Sequence, residues 1–489
     1  IISIRGVGNE TNQNAIAAPS VAFHMDGVFI ASPFAISTDF LDVERLEVIR
    51  GPQGTLFGQN STGGAINLIS KTPTTEGSEG KLSVTFGDYN LRKVIASNNI
   101  VVNDKIATRF SVSSTTRDGF TENVFTGQDL DDANNKSVRT DWMFDLNDTS
   151  SLRVFGQYFK VDRNGAAIRG IDDQSSGMRK LSQDTISQHD LSSMVIAAIY
   201  EADLGFANLK MIGSVQEDDI SVTRDNDRHN YLDPVLSIPG LGAGATYQRS
   251  EFRPETSLVD TTTFEVNLIS IEPIEGRLDW TVGAFYMDHE IENHIRGYRD
   301  NDGTGRLKYE CSESYADPTY CYEHDFGIPG RFDVFAPSAD WDFVTDSFPT
   351  RESYSIFGQT TLYISDEFRI ISGLRYSEDK FTSDVTNFFN VQEYDLEGES
   401  DEVTSRVVAE VDFSDDIMAY FALAKGYKPG GSNLTFGFTE EEDIASGTPV
   451  APAMVFPTFE SETVDSIEVG LKSTFADGRA RANLAAFSY

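Results

Sequence analysis

A period of two, kept over many long segments, restricts this chain more than any other feature. Leu82, Val84 and Phe86 alternate with Lys81, Ser83, Thr85 and Gly87, and Ile106, Thr108, Phe110 and Val112 alternate with Ala107, Arg109, Ser111 and Ser113. The pattern returns over 138–146, 194–202, 278–286, 368–376 and 467–475. Successive strand side chains point to opposite faces, so each segment predicts a strand with one apolar side and one polar side. About fifteen such segments, each of about 9 to 13 residues, are long enough for tilted strands to cross bilayer hydrocarbon. Soluble sandwiches seldom keep strands this long.

The connections sort themselves. Hairpin residues stand at Asn103-Asp104, Asn147-Asp148, 203–205, 272–275, 365–367, 414–416 and Asp477-Gly478. Between them come long polar stretches at 118–136, 162–189, 218–256, 292–350, 378–402 and 428–462. Short and long connections are expected to alternate strictly, which places tight turns on one side of a membrane barrel and extended loops on the other. The 39 glycines, 34 phenylalanines and 18 tyrosines against 8 methionines suit strands, turns and aromatic girdles.

Other classes fall away. No apolar run reaches the roughly 18 residues of a membrane helix. With 77 acidic against 39 basic side chains and a net charge of −38, a nucleic-acid partner is disfavoured, and the acidity reads as a solvated surface. Neither GxSxG nor HExxH occurs and the 6 histidines are scattered, so no catalytic residues are assigned and no enzyme is expected. No CxxC or close histidine pair supports a metal site, and no cofactor is expected. Cys311 and Cys321 flank a polar aromatic stretch. On spacing alone they are free thiols, half of a metal site or a disulfide.

Residues 46–70, LEVIRGPQGTLFGQNSTGGAINLIS, predict two short strands around a glycine-laden elbow. A phosphate loop is excluded, because no Lys-Ser or Lys-Thr follows Gly58 and no helical pattern starts there. Together with ISIRG at 2–6, Met25-Asp26-Gly27-Val28 and the run 42–54, this stretch resembles the plug domain of TonB-dependent outer-membrane receptors. The resemblance is in order and nearly gapless over about seventy residues, far more specific than a lone motif.

The resemblance implies an all-β membrane barrel, large and antiparallel, with an N-terminal α+β plug in its lumen. The plug's C-terminal part would occupy 1–75, and an incomplete barrel 76–489, with about 15 strands here against about 22 in the family. The family's N-terminal TonB box and first half-plug are not among these residues, and its last strands are expected beyond them. Ligand contacts are expected at two plug apices, Asn9, Glu10, Asn12 and Gln13, then Ser32, Pro33 and Phe34. Glu47 and Arg50 stand among apolar strand residues, where a surface ion pair is the simpler reading. The resemblance makes them a lock between plug and barrel, with Glu468 as lumen-facing partner if Ile467, Val469 and Leu471 face lipid. In an exported barrel, Cys311 and Cys321 would form a loop disulfide worth about 3 kcal/mol, within an aromatic lid at 292–350. The implied partners are the TonB–ExbB–ExbD complex, outer-membrane lipid and lipopolysaccharide, and a scarce solute. A ferric siderophore is the foremost candidate, with cobalamin, an oligosaccharide, a passive porin or an adhesion barrel as alternatives.

Overall fold

The structure is a computed structural model. It describes residues 2–8, 18–32, 35, 41–170, 173, 175–183, 185–225, 228, 250–300, 343–387, 392–432, 437–439, 442–443, 448–449, 453–455 and 458–489.

The plug part contains two short strands, β1 (Ser3–Ile4) and β2 (Val7–Gly8), and a mixed sheet of four more. These are β3 (Val21–Met25), β4 (Val28–Ile30), β5 (Val43–Arg50) and β6 (Gly64–Ser70), in the order β4-β3-β6-β5. β3 and β4 form a hairpin whose turn residues, Asp26 and Gly27, take φ of 54° and 86°. That geometry favours Asp-Gly. β5 and β6 are the two strands expected around the elbow, and they pair antiparallel. The helical part of an α+β plug has no counterpart among the described residues.

Fifteen strands then form one antiparallel sheet, each paired with its chain neighbours. They are β7 (Glu79–Gly87), β8 (Leu91–Asn103), β9 (Ile106–Arg117), β10 (Ala133–Asn147), β11 (Ser150–Arg163), β12 (Gln188–Asp203), β13 (Ala207–Asp225) and β14 (Ser250–Ser270). The rest are β15 (Leu278–Asp300), β16 (Phe343–Tyr363), β17 (Phe368–Asn387), β18 (Gln392–Ser414), β19 (Ile417–Lys428), β20 (Glu462–Phe475) and β21 (Ala480–Ser488). All seven expected tight turns lie between strands of this sheet.

Two expectations about the opposite end need correction. Alternation of short and long is not strict, because β7 and β8 are joined by 88–90 alone, where Tyr89 and Asn90 take positive φ and close the turn. One expected loop is also largely strand, and strands extend into the ends of others. Stretch 378–402 is β17 and β18 paired from Phe368↔Val411 to Asn387↔Gln392, and β13 to β18 run 19 to 23 residues. The apolar half of the alternation disappears once a strand leaves hydrocarbon, while residues such as Phe381, Thr382 and Val385 keep it extended. The ladder outlasts the hydrophobic signal.

The alternation sorts side chains as expected. On β17, Leu374 is 58% exposed and Arg375 4%. Outward apolar residues recur on every strand from Leu82, Val84 and Phe86 to Ile467, Val469 and Leu471. So wide an apolar exterior is untenable in water and suits hydrocarbon. Tyr286 and Tyr354 meet on this exterior with ring centroids 5.1 Å apart, toward one edge of the belt. Leu374→Arg, near the middle of the belt, is expected to lower folding stability in lipid vesicles by about 2–4 kcal/mol, measured by urea titration.

Candidate functional site

The plug meets the wall through buried charge. At the β3–β4 turn, the Asp26 carboxylate accepts hydrogen bonds from Ser70 N at 2.9 Å and Ser70 Oγ at 2.7 Å, which fix it within the plug. Across the interface, Arg139 on β10 and Arg153 on β11 approach it at 2.7 and 3.3 Å. Both arginines share Asp141, at 3.1 and 2.6 Å, and the Arg139 guanidinium lies 4.1 Å from the Phe155 ring centre. Nearby, Asp42 is gripped by Arg109, which also reaches Glu79 at 3.1 Å. Apolar contact surrounds the Asp26 network: Phe23, Met25, Val28 and Ile30 of the plug pack with Phe155, Val195, Ala197 and Ile212 of the wall.

The expected lock residues separate. Glu468 does take a plug arginine, but it is Arg5, at 2.6 Å, in the turn between β1 and β2. The Tyr420 hydroxyl donates to the same carboxylate, and Phe487 lies under the Arg5 guanidinium at 3.9 Å. Arg50 ends the edge strand β5 with an exposed side chain and has no ion pair among the described residues. Glu47 bonds to Arg45 at 2.7 Å and Asn67 at 3.1 Å on the plug's own surface. The contacts missed from sequence, Asp26, Asp42, Arg109, Arg139 and Arg153, did carry a signal. The arginines are charges at lumen-side positions of alternating strands, where an unpaired charge would be costly.

The elbow at 51–63 meets the other wall through polar and close backbone contacts. A Cβ on Gly54 would stand 2.8 Å from the Lys425 carbonyl oxygen, and one on Gly58 2.8 Å from Arg375 Nη2. Arg406 donates to Gln53 at 2.8 Å. Ser353 donates to Asp379, which also takes the buried Tyr427 hydroxyl at 2.6 Å, and its Oγ lies 3.3 Å from Gln59 Oε1. His24 packs between Phe29 and Phe57, with centroids 5.4 and 5.1 Å away. Burial, reinforced by the Arg375 charge, pushes its pKa down to about 3, so the ring is neutral.

Above the elbow opens a cavity between plug and barrel wall. Its floor is plug, from Ala18, Phe29, Ala31, Gln59 and Asn60. Its wall is barrel, from Met287, His289 and Ile291 on β15, Arg351 on β16, Phe381 on β17, and Gly431, Ser432 and Phe459 beyond β19. It lies toward the sheet end that carries the long connections. Ala31 adjoins the second expected apex, where Ser32 is buried. Asn9, Glu10, Asn12, Gln13, Pro33, Phe34, Cys311 and Cys321 lie outside the described residues. Gln59 and Asn60 went unassigned because a glycine-rich elbow reads as a turn whichever way its tip faces. Among the described residues, no group of three or more His, Cys, Asp or Glu side chains could hold a metal ion.

Fold and site together define a plugged membrane barrel with a cavity on its loop side. The family model for the TonB-dependent receptor-like β-barrel matches residues 76–489, and that for the TonB-dependent receptor plug domain matches 1–65. The chain belongs to the TonB-dependent receptor family. It is similar to the pesticin receptor of Yersinia enterocolitica, 23% identical over 88% of this chain and 55% of the relative. A shorter match, 35% identical over 22% of this chain and 14% of the relative, is to the catecholate siderophore receptor Fiu of Escherichia coli. In fold it resembles the ferric yersiniabactin uptake receptor FyuA of Yersinia pestis, with a TM-score of 0.72 at 16% identity over 98% of this chain and 67% of the other. The siderophore receptor PiuA of Acinetobacter baumannii gives a TM-score of 0.69 at 17% identity, covering 99% and 67%. The chain spans about half the length of the pesticin receptor it matches.

Two outcomes follow from the plug contacts. Asp26→Ala leaves Arg139 and Arg153 without their plug partner in a dry interface and is expected to cost about 3–5 kcal/mol, read as faster amide hydrogen exchange in β3 and β6. His24 binds its proton in the unfolded chain near pH 6.5 and in the plug only near 3. Its contribution is therefore full above pH 6.5 and is lost on acidification by up to about 1.4 kcal/mol per pH unit. His24→Phe is expected to flatten the acid sensitivity of plug exchange within that window.

Proposed function

We propose that the chain is part of an active outer-membrane importer that binds a ferric siderophore from outside. Force from the TonB–ExbB–ExbD complex on the plug then admits the solute, in a membrane with lipopolysaccharide on its outer face. One observation carries this reading: the plug itself is the floor of the loop-side cavity. A solute held there can pass inward only when the plug moves. The paired charges Arg5–Glu468, Asp42–Arg109 and Asp26–Arg139 are the contacts such movement would break or carry along. The catecholate siderophore receptor among the relatives, and the ferric yersiniabactin and PiuA siderophore receptors among similar folds, support iron chelates over cobalamin or oligosaccharides as cargo. A passive porin is disfavoured, because a lumen filled by a packed sheet does not conduct freely.

The full-length receptor in proteoliposomes, offered ferric siderophores, haem, cobalamin and oligosaccharides, is expected to bind a ferric siderophore saturably. Uptake of that chelate by cells should stop when TonB is deleted. Large ion conductance in a planar bilayer, with no saturable ligand, would sink the importer in favour of a pore.

A further inference from the structure

The cavity reverses the charge of the molecule around it. Acidic side chains outnumber basic ones 77 to 39 in the chain, yet none of the described cavity-lining residues is Asp or Glu, and Arg351 and His289 are among them. Strand register explains how the wall is built. His289, Arg351 and Phe381 are direct cross-strand partners on β15, β16 and β17, so they form one rung on the lumen face. Arg351 Nη2 donates to the Gly430 carbonyl at 2.6 Å, which holds the guanidinium in place. Its Nη1 is buried and has no hydrogen-bond partner among the described residues, and its planar head lies 5.9 Å from the Phe381 ring centre. A buried guanidinium N–H without an acceptor is costly, and an incoming anion would satisfy it.

The rest of the wall adds aromatic surface. The Phe381 ring lies across Gly398, where a Cβ would come within 2.5 Å of it, and the Phe459 ring covers Gly431, where a Cβ would come within 2.9 Å. From the floor, Asn60 brings a buried Oδ1 that also lacks a partner. Asp379, the nearest wall carboxylate by register, sits one lumen-facing position below Phe381 on β17 and is occupied by the Ser353 and Tyr427 hydroxyls. The His289 Nδ1 is engaged by Thr261 at 2.8 Å. Arg351 is the one Arg or Lys side chain among the described cavity-lining residues.

We propose that Arg351 makes this cavity selective for an anionic aryl chelate. A catecholate or phenolate oxygen would pair with Nη1, its ring would lie between Phe381 and Phe459, and an N–H or O–H of the ligand would reach Asn60 Oδ1. This rests on the importer reading and narrows its substrate class. Neutral hydroxamate chelates lack the charge that the guanidinium requires.

The test is equilibrium binding to the full-length receptor by tryptophan quenching. The probes are the ferric complex of a synthetic tris-catechol amide, which is an anion, and ferrichrome, a neutral trihydroxamate. The catecholate should bind, and Arg351→Gln should weaken it by about tenfold or more, with Arg351→Lys intermediate because it keeps charge without the planar fork. Asn60 takes φ of 61°, a conformation Asp tolerates equally, so Asn60→Asp adds a negative charge to the floor without disturbing the turn. It should weaken the catecholate by a similar factor even where Arg351→Gln fails to fold. Binding of ferrichrome alone, or of the catecholate within twofold of wild type in both Arg351→Gln and Asn60→Asp, overturns this inference and leaves siderophore import standing. If neither chelate binds while cobalamin or an oligosaccharide does, the importer's iron cargo and this inference fall together.

Discussion

A backbone amide in hydrocarbon has no water to bond to, and leaving it unpaired costs several kcal/mol. The ladder across fifteen antiparallel strands answers that constraint, and most of what is distinctive about the chain follows from it. Once every crossing segment must be a strand, side chains can only alternate, and lipid selects the outward set for apolarity. The inward set is released from that selection. Arginine, aspartate and serine therefore collect at lumen-side positions such as Arg375, Ser377 and Asp379.

A lumen lined with charge needs charge to fill it, and the plug is shaped by that demand. Arg109, Arg139 and Arg153 project from neighbouring strands, and the plug presents Asp42 and Asp26 to them. Removing one member strands the others in a dry interface, whereas the complete set is nearly self-cancelling. The two walls differ in kind. Against β11 to β16 the plug sheet adds packing through Phe23, Met25, Phe29 and Ala65 to its polar contacts, and separation would also expose apolar surface. Against β17 to β20 it makes polar contacts, Gln53 with Arg406 and Arg5 with Glu468, whose groups exchange into water at small net cost.

How much of this the sequence discloses depends on whether a residue's role is set locally. The strand faces are legible because alternation acts residue by residue, and the tight turns because Asn-Asp and Asp-Gly carry their own conformational preference. The β5–elbow–β6 unit is legible through its glycines. What resisted reading is non-local. The outer halves of β17 and β18 read as loop, since polar residues on both faces erase the period that marks a strand. Glu468 is a lumen carboxylate by alternation, but its choice of Arg5 over Arg50 depends on which plug turn reaches β20. The cavity was illegible for the same reason: Arg351 and Asn60 are far apart in sequence and meet only through barrel register.

That register also ties the cavity to the plug. The rung of His289, Arg351 and Phe381 lies two residues, about 7 Å, above the rung of Met287, Ser353 and Asp379. Gln59 meets the lower rung at Ser353 and Met287, while its neighbour Asn60 helps floor the space beside the upper one. One plug turn therefore serves both as an anchor to the wall and as part of the cavity floor. Coupling of this kind is reciprocal: by whatever factor a bound solute favours the seated turn, withdrawing the turn weakens the solute's grip by the same factor. A plug drawn off the polar wall would take the cavity floor with it, so the cavity cannot keep its shape once that turn leaves.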